Sequence, residues 1–305
     1  SGSIERPIVF GNNDTPGILL SSAAKEYMKV YGVLVGKKPL IFTNNDSAYE
    51  TAIEFKKNGI NPIVLDSRKE LNSDLITEAK NLGIDIKFEH VVVNANGYRK
   101  VKSADIAKIS EDKTNLGKIE NIACDCICVS GFWTPTIHLA SQSGGKTKFN
   151  EDIDAFIPSQ SKQNETTVGS ANGIFNLNDT LKNSFEAGYE LSKKITSKEN
   201  KLSVPAVVEK KNSKHDKFWC VPLPKGKKYK RFLDFQNDVA VSDIELALRE
   251  GYRSIEHVKR YTTLGMATDQ GKTSNLNGLQ LVSNIENKVV PEVGHTTFRP
   301  PYTPV

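Results

Sequence analysis

The sequence lacks the features that would assign it to a membrane or to the outside of the cell. No apolar run is long enough to cross a bilayer, and no signal-peptide pattern stands at its start. The four cysteines do not form a disulfide framework, and they suit a reducing compartment. We therefore expect a cytoplasmic protein without membrane contact. Its 305 residues, 38% of them hydrophobic, are enough for two or three globular domains.

A strong charge of one sign is also missing. The net charge is only +5, and much of the basic excess lies between Lys210 and Arg231. No nucleic-acid-binding motif accompanies this run, and its aromatic residues are not periodic. We interpret the run as a solvated loop or a subunit contact, and we expect no nucleic-acid partner.

The cysteines and histidines do not have the spacing of a metal site. Cys124, Cys126 and Cys128 alternate with other residues along one predicted strand, so their thiols are expected on one face. Zinc sites usually present paired cysteines or histidines of the C-x-x-C type. The five histidines of the sequence do not group into a ligand set or a triad. We predict buried packing thiols, no metal site and no catalytic residue.

Residues 37–66 predict a strand, a helix and a second strand, which is the parallel βαβ unit of a Rossmann-type domain. The loop after the first strand, Thr43 to Ala48, reads TNNDSA, and only Ala48 fits a G-x-G-x-x-[GA] fingerprint. The missing glycines would permit a tight turn and the close approach of a pyrophosphate. Asp66 stands where an acid would bind the ribose. We favour a Rossmann-type domain that has lost its nucleotide.

A second loop of small residues, Gly169-Ser170-Ala171-Asn172-Gly173, follows a short predicted strand. It precedes a helix predicted from Leu177 to Ile195, with Asn178 or Asp179 at the start of the helix. Small residues let a ligand approach the backbone, and a helix N-terminus favours a phosphate. The pattern fits an ordinary turn equally well, so both interpretations stay open.

A third loop, from Gly265 to Thr273, resembles a phosphate-binding P-loop without being one. Five residues separate its glycines where a P-loop has four, and the loop follows a predicted helix where a P-loop follows a strand. A nucleoside triphosphatase is therefore not expected. Lys272, Thr273 and Ser274 still stand at a predicted helix start, where they suit an anion or a flavin phosphate, or simply cap the loop.

Several stretches, in order, resemble the pyridine nucleotide–disulfide oxidoreductase family. They are ERPIVFGNNDTPGIL, the βαβ unit, ACDCICVSGFWTP and VGSANGIFNLNDTLKNSFEAG. The resemblance implies an α/β fold with two Rossmann-like dinucleotide domains, one inserted in the other, and a mostly helical C-terminal segment. Residues 1–36 and 124–200 would form an incomplete NAD/FAD-type domain, residues 37–123 the inserted degenerate domain, and residues 201–305 a helical subunit-interface segment.

The C-terminal sequence narrows the resemblance. The segment RFLDFQNDVAVSDIELALREGYRSIEHVKRYTTLGMATDQGKTSN, the end PEVGHTTFRPPYTPV and the loop TNNDSAY resemble α subunits of heterotetrameric sarcosine oxidases. The resemblance implies the central part of a longer subunit that binds NAD and works with β, γ and δ subunits. FMN would lie at the α/β interface, FAD and amine oxidation in β, and tetrahydrofolate in a domain that the proline-rich end links to this part. The complex would demethylate sarcosine to glycine and form H2O2, and the chain alone would be inactive.

The resemblance also selects candidate cofactor contacts. The NAD contacts would be Ser1, Gly2, Ser130, Gly131, Gly169, Ser170, Ala171, Asn172, Gly173, Leu177 and Asp179. The FMN contacts would be Lys272, Thr273 and Ser274. Two other functions stay open: the α subunit of a related amine or imino-acid dehydrogenase, and a noncatalytic scaffold with a dinucleotide fold.

Overall fold

The computed structural model describes residues 2–196, 203–205, 207–208 and 214–300. The chain divides into two compact units. The larger unit contains Glu5–Phe132 and Lys211–His295. The smaller unit contains Ser1–Ile4, Trp133–Lys210 and Thr296–Val305.

The described residues form the following elements. The strands are β1 (Ser3–Glu5), β2 (Ile18–Leu20), β3 (Pro39–Thr43), β4 (Ile63–Asp66), β5 (Asp85–Phe88), β6 (His90–Gly97), β7 (Val101–Ile109), β8 (Leu116–Ala123), β9 (Cys126–Ser130), β10 (Trp133–Pro135), β11 (Lys146–Asn150), β12 (Ala155–Gln160), β13 (Phe232–Asp234) and β14 (Val239–Ala240). The helices are α1 (Ser21–Tyr31), α2 (Ser47–Lys57), α3 (Asp74–Asn81), α4 (His138–Gln142), α5 (Leu177–Thr196), α6 (Val241–Arg249), α7 (Ile255–Thr262), α8 (Asn275–Glu286) and α9 (Val290–Val293), with a 3₁₀ turn at Gly169–Asn172.

Five strands of the larger unit form a parallel sheet in the order β2-β9-β3-β4-β5. The predicted βαβ unit is confirmed, because β3 and β4 pair in parallel from Leu40 with Ile63 to Thr43 with Asp66. Every residue of β3 is buried, which is the pattern of a strand covered on both faces. Helix α2 packs on this sheet through Ala52, Phe55 and their neighbours, and its apolar residues recur at helical spacing.

Strands β6, β7 and β8 form a separate antiparallel sheet. Strands β6 and β7 form a hairpin, since β6 ends at Gly97 and pairs with β7, which starts at Val101. A Cβ atom at Gly97 would lie 1.9 Å from the Lys100 carbonyl oxygen, so only glycine fits this turn. Residues of both sheets, such as Phe42 and Ile106, meet in one buried cluster.

The predicted strand that carries the three clustered cysteines is in fact two strands. β8 ends at Ala123 in the antiparallel sheet, and β9 begins at Cys126 in the parallel sheet. Cys126 and Cys128 therefore pack with the helices α1 and α2, whereas Cys124 packs in the cluster between the two sheets. The prediction of three thiols on one face is wrong for Cys124. Across the described residues, no group of three or more His, Cys, Asp or Glu side chains could hold a metal ion.

The pairing of β9 also corrects the predicted course of the chain. The sequence assigns residues 1–36 and 124–200 to one domain, with 37–123 inserted between them. In the structure, β9 lies between β2 and β3, so residues 18–20 and 126–130 belong to the sheet of the inserted unit. All five residues of β9 are buried, and a fully buried strand needs a partner on each side.

The C-terminal part of the larger unit is built from the hairpin β13–β14 and helices α6 to α9. Asn13 holds the hairpin, because its side chain both donates to the Phe232 carbonyl at 2.8 Å and accepts from the Phe232 N–H at 2.7 Å. Helix α6 begins at Val241, and the Asp243 carboxylate accepts the Ala240 N–H at 2.8 Å.

The smaller unit has little regular structure in its described residues. Strands β11 and β12 form an antiparallel pair. The short strand predicted before the loop Gly169–Gly173 is wrong, since residues 165–168 have no regular secondary structure and lead into a 3₁₀ turn at Gly169–Asn172. The predicted helix is confirmed as α5, Leu177–Thr196. In the described parts of both units, no helix combines the length and the apolarity that a bilayer crossing requires.

Candidate functional site

The candidate site is the crevice at the carboxyl ends of β3 and β9. Strand order reverses between these two neighbours, and open α/β sheets bind ligands at such a switch point. Residues 44–46 follow β3 and lead into α2, and Ser130-Gly131 end β9. We call this place the switch-point crevice.

Two buried asparagines occupy the loop where the glycines of a dinucleotide fingerprint would stand. The Asn45 amide donates to the Ser130 hydroxyl at 3.0 Å and to the Ser130 carbonyl at 3.3 Å, which joins the two sides of the crevice. The Asn45 side-chain oxygen accepts the Ser47 N–H at 3.0 Å, so it caps one of the orphan donors at the start of α2. Both Asn44 and Asn45 are almost fully buried.

Asp66, the acid at the ribose position, already accepts hydrogen bonds from other side chains on both of its oxygens. Arg68 contacts both carboxylate oxygens of Asp66, at 2.9 and 2.6 Å, and the Tyr49 hydroxyl donates to the same group at 2.8 Å. Arg68 also forms an ion pair with Asp46 at 2.9 Å. Burial opposes the charge of Arg68, but Asp66 and Asp46 outweigh it and raise the pKa of the guanidinium. Burial, and then Asp66, raise the pKa of Tyr49, so both groups keep their protons.

A segment from later in the chain lies over the same crevice. We call residues 214–221 the strap. The Asn44 amide donates to the Asp216 carbonyl at 2.8 Å, and the Asp216 N–H donates back to the Asn44 carbonyl at 2.9 Å. Arg68 donates to the Lys214 carbonyl at 3.0 Å. Phe218 packs in the cluster between the two sheets and is 4% exposed.

A buried carboxyl group, that of Glu5, is hydrogen-bonded with Ser130 at the end of β9. Glu5 accepts the Ser22 N–H at 2.7 Å at the start of α1. Burial raises the pKa of Glu5, although hydrogen bonds from Ser130 and Ser22 and the charge of Lys25 partly oppose the shift. Ser130 is therefore shared between Glu5 and Asn45.

The close packing around Arg6 explains why residue 131 is a glycine. The Arg6 side chain donates to the Gly131 carbonyl at 2.7 Å and lies 4.0 Å from the Trp219 ring of the strap. A Cβ atom at Gly131 would lie 2.9 Å from the carbonyl oxygens of Arg6 and Pro7. The predicted NAD contacts Ser130 and Gly131 thus both serve internal packing.

A cavity of about 350 Å³ lies beside the edge strand β2. Its lining is mostly apolar and includes Ile8, Leu20, Val129 and Phe235, and the predicted FMN contact Thr273 is part of it. The other two predicted FMN contacts adjoin Thr273 in the chain. The Ser274 hydroxyl is buried without a hydrogen-bond partner among the described residues, and burial lowers the pKa of Lys272, which Asp269 partly offsets.

The glycine loop of the smaller unit is a tight turn. Gly169 and Gly173 both have positive φ angles, 64° and 77°, as a tight turn of small residues requires. The predicted position of Asn178 and Asp179 at the start of the helix is confirmed, and the Asn176 side chain accepts the N–H groups of these two residues at 2.8 and 3.2 Å. Those two donors are no longer available to a phosphate.

The smaller unit brings one other predicted NAD contact to this loop. A Cβ atom at Gly2 would lie 3.9 Å from the Ser170 hydroxyl, and the Gly2 carbonyl accepts from Thr136. Ala171 is buried and Leu177 is exposed. Asp179 is also exposed, Asn172 ends the 3₁₀ turn, and Ser1 lies outside the described residues.

Sequence reasoning missed the residues that close the crevice. Arg68 and the strap carry no motif, and Phe218 is far along the chain from Val129 and the other sheet residues with which it packs. The one signal in the sequence was the presence of Asn44 and Asn45 in place of fingerprint glycines. A buried amide needs hydrogen-bond partners, so these residues indicate that other parts of the chain lie against the loop.

The parallel sheet and its helices define a mixed α/β protein with a Rossmann-like fold, as the sequence predicts. A crystal structure of L-proline dehydrogenase from P. horikoshii matches 100% of this chain and 56% of that chain, with a TM-score of 0.68 and 21% sequence identity. At this identity the likeness concerns the fold alone.

Sequence comparison identifies the relatives. Residues 228–305 match the family model of the sarcosine oxidase A3 domain. The whole chain is 36% identical to sarcosine oxidase subunit alpha of Rhizobium meliloti (strain 1021), of which it covers 30%. It is 34% identical to the same subunit of Corynebacterium sp. (strain P-1), again over the whole chain and 32% of the relative. The chain is therefore a homologue of the sarcosine oxidase α subunits, and it spans about a third of their length.

Proposed function

We propose that this chain is part of the α subunit of a sarcosine oxidase, which oxidatively demethylates sarcosine to glycine, forms H2O2 and transfers the one-carbon unit to tetrahydrofolate. The observation that carries the proposal is homology to sarcosine oxidase α subunits along the whole chain. In this proposal the chain works with β, γ and δ subunits. FAD and amine oxidation lie in β, and tetrahydrofolate binds another domain of α.

The proposed FMN contact on the α side is the wall of the β2 cavity around Thr273. The cavity of about 350 Å³ has an apolar lining that suits a flat ring, and Lys272 and Ser274 flank Thr273 in the chain. The unpartnered Ser274 hydroxyl and a lysine whose charge is disfavoured by burial would both gain from an anionic phosphate. FMN would supply electron transfer; these residues would bind and orient it.

The proposed NAD contact is the glycine loop of the smaller unit. Gly2, Ser170 and the positive-φ glycines at 169 and 173 support this proposal, because backbone without side chains can approach a pyrophosphate closely. Asn176 already caps the helix behind the loop, so backbone of the loop, not the helix N-terminus, would make the contact.

Reconstitution of the full-length protein with its partner subunits tests the proposal. We expect sarcosine-dependent H2O2 from the complex and none from the purified 305-residue chain. Strong peroxide production by the chain alone would refute the proposal that amine oxidation lies in the β subunit. A complex that is inactive toward sarcosine would refute sarcosine as the substrate.

A related amine or imino-acid dehydrogenase is the second candidate. L-proline dehydrogenase shares the fold of the whole chain, which is compatible with this candidate but does not choose between the two. Parallel assays of the complex with sarcosine and with L-proline, reading both peroxide and dye reduction, separate the two candidates. The A3-type sequence at residues 228–305 favours sarcosine.

A noncatalytic scaffold is the third candidate, and the closed switch-point crevice is the observation in its favour. Calorimetric titration of the full-length protein with NAD decides this point, since tight binding excludes a scaffold that binds no dinucleotide.

A further inference from the structure

The switch-point crevice has the position of a dinucleotide site but not its free groups. In a Rossmann sheet the pyrophosphate lies over the first glycine loop, and an acid at the end of the next strand binds the ribose. Here Asn45 bridges from the loop to Ser130 on the other side of the switch point, at 3.0 Å. Asp66 stands at the ribose position and is fully buried.

The charges at the crevice are already matched. Asp66 accepts from Arg68 and from Tyr49, and Arg68 also pairs with Asp46. A ribose would have to displace Arg68 from both oxygens of Asp66, and the guanidinium would then lose the bond to the Lys214 carbonyl as well. Breaking a buried pair of this kind is strongly unfavourable.

The strap supplies the contacts that a ligand would otherwise make. Its main chain exchanges three hydrogen bonds with Asn44: the Asn44 side chain donates to the Asp216 and Phe218 carbonyls at 2.8 and 3.2 Å, and the Asp216 N–H donates to the Asn44 carbonyl at 2.9 Å. Lys113 pairs with the Asp216 carboxylate at 2.9 Å and donates to the Ser67 carbonyl, so the strap is also held from the β4 side. Phe218 adds an apolar anchor in the core behind the crevice.

We infer that residues 214–221 are a built-in substitute for a dinucleotide, which closes the switch-point crevice and fastens the segment carrying β13 to α9 onto the parallel sheet. The switch-point crevice then binds no NAD, and any dinucleotide site of the complete protein lies elsewhere.

The first test is photocrosslinking of the full-length protein with an azido-adenine NAD analogue, followed by peptide mapping. We expect no crosslink within residues 39–68 or within the strap. A competable crosslink in either range overturns the inference. If the protein takes up no NAD at all, the inference stands, and it is the NAD contact in the smaller unit that fails.

The second test is amide hydrogen exchange of the strap with and without NAD. We expect saturating NAD to leave strap exchange unchanged, whereas Asn44→Ala should speed it about tenfold, because the side-chain hydrogen bonds to the Asp216 and Phe218 carbonyls are lost. Asn58→Ala, an exposed asparagine at the other end of α2, is the matched control and should leave strap exchange unchanged. Faster strap exchange on NAD addition would show displacement by the ligand and overturn the inference.

Discussion

Helices α2 and α5 are both amphipathic and both follow a loop of small or polar residues, yet their burial is opposite. Helix α2 buries six residues: Ala48, Tyr49, Thr51, Ala52, Ile53 and Phe55. In the described part of the chain, none of the residues of α5 is buried. A parallel sheet covers the apolar face of α2. The comparison teaches that an amphipathic pattern determines where a helix forms, whereas burial needs a surface from elsewhere.

The largest effect is expected at the loop that begins α2. Arg68→Ala leaves the buried carboxylates of Asp66 and Asp46 without their cation, which should destabilise this chain by about 3–5 kcal/mol. Urea unfolding measures the loss. Lys69→Ala removes a neighbouring but exposed ion pair and should leave the stability nearly unchanged. Similar losses of stability in the two variants would contradict the importance of the buried ion pairs of Arg68.

The next largest difference in stability is expected between alanine variants of one phenylalanine from each helix. Phe55 is fully buried in α2, and Phe185 is 38% exposed in α5. Phe55→Ala should cost about 3 kcal/mol or more through lost burial and the cavity that remains. Phe185→Ala should cost about 0.5 kcal/mol in this chain. Thermal and urea unfolding of the pair check the difference, and equal losses would mean that some surface covers α5.

A smaller effect compares the two asparagines that cap these helices. Asn45→Ala removes the cap of α2 and the buried bridge to Ser130, and we expect a loss of about 1–3 kcal/mol. Asn176→Ala removes only the cap of α5, with a loss of about 1 kcal/mol. Circular dichroism during urea unfolding measures both variants. A greater loss at Asn176 would reverse the ranking of the two loops.

The smallest expected effect is a pH dependence of the folding stability that arises from Glu5. Because burial raises the pKa of Glu5 above its ordinary value of 4.5, the folded state holds this proton more tightly than the unfolded state. Stability from Glu5 is therefore greatest below pH 4.5 and falls as the pH rises through the folded pKa.

Glu5→Gln tests this sign. The variant keeps an acceptor for the Ser22 N–H but cannot ionise, so it should gain stability over the parent as the pH rises from 4.5 toward neutrality. Urea unfolding across that pH range is the measurement. A parent that gains more stability than the variant with rising pH would show that Glu5 has a lowered pKa.

The sequence predicted the elements that depend on local patterns. The βαβ unit at residues 37–66 and helix α5 are confirmed, because hydrophobic periodicity reports local structure. These patterns could not predict that the chain divides into two strands between Cys124 and Cys126. An alternating run continues across the break between β8 and β9, and only pairing with different sheets separates the two.

The candidate site shows the same limit. The absence of fingerprint glycines at Asn44 and Asn45 was readable, and it pointed to a lost nucleotide site. Which residues fill that site was not readable, because Arg68 and Phe218 gain their roles only from contacts made after folding. Long-range contacts of this kind leave no periodic signal in a single sequence.

By itself, the sequence determined the α/β class, the parallel βαβ unit and the relationship to sarcosine oxidase α subunits, since propensity, periodicity and similarity are properties of the chain. The tertiary structure alone decided that β9 completes the parallel sheet and that the strap lies over the switch-point crevice. The physical reason is that buried amides and carboxylates must find partners, and folding brings those partners from distant parts of the chain.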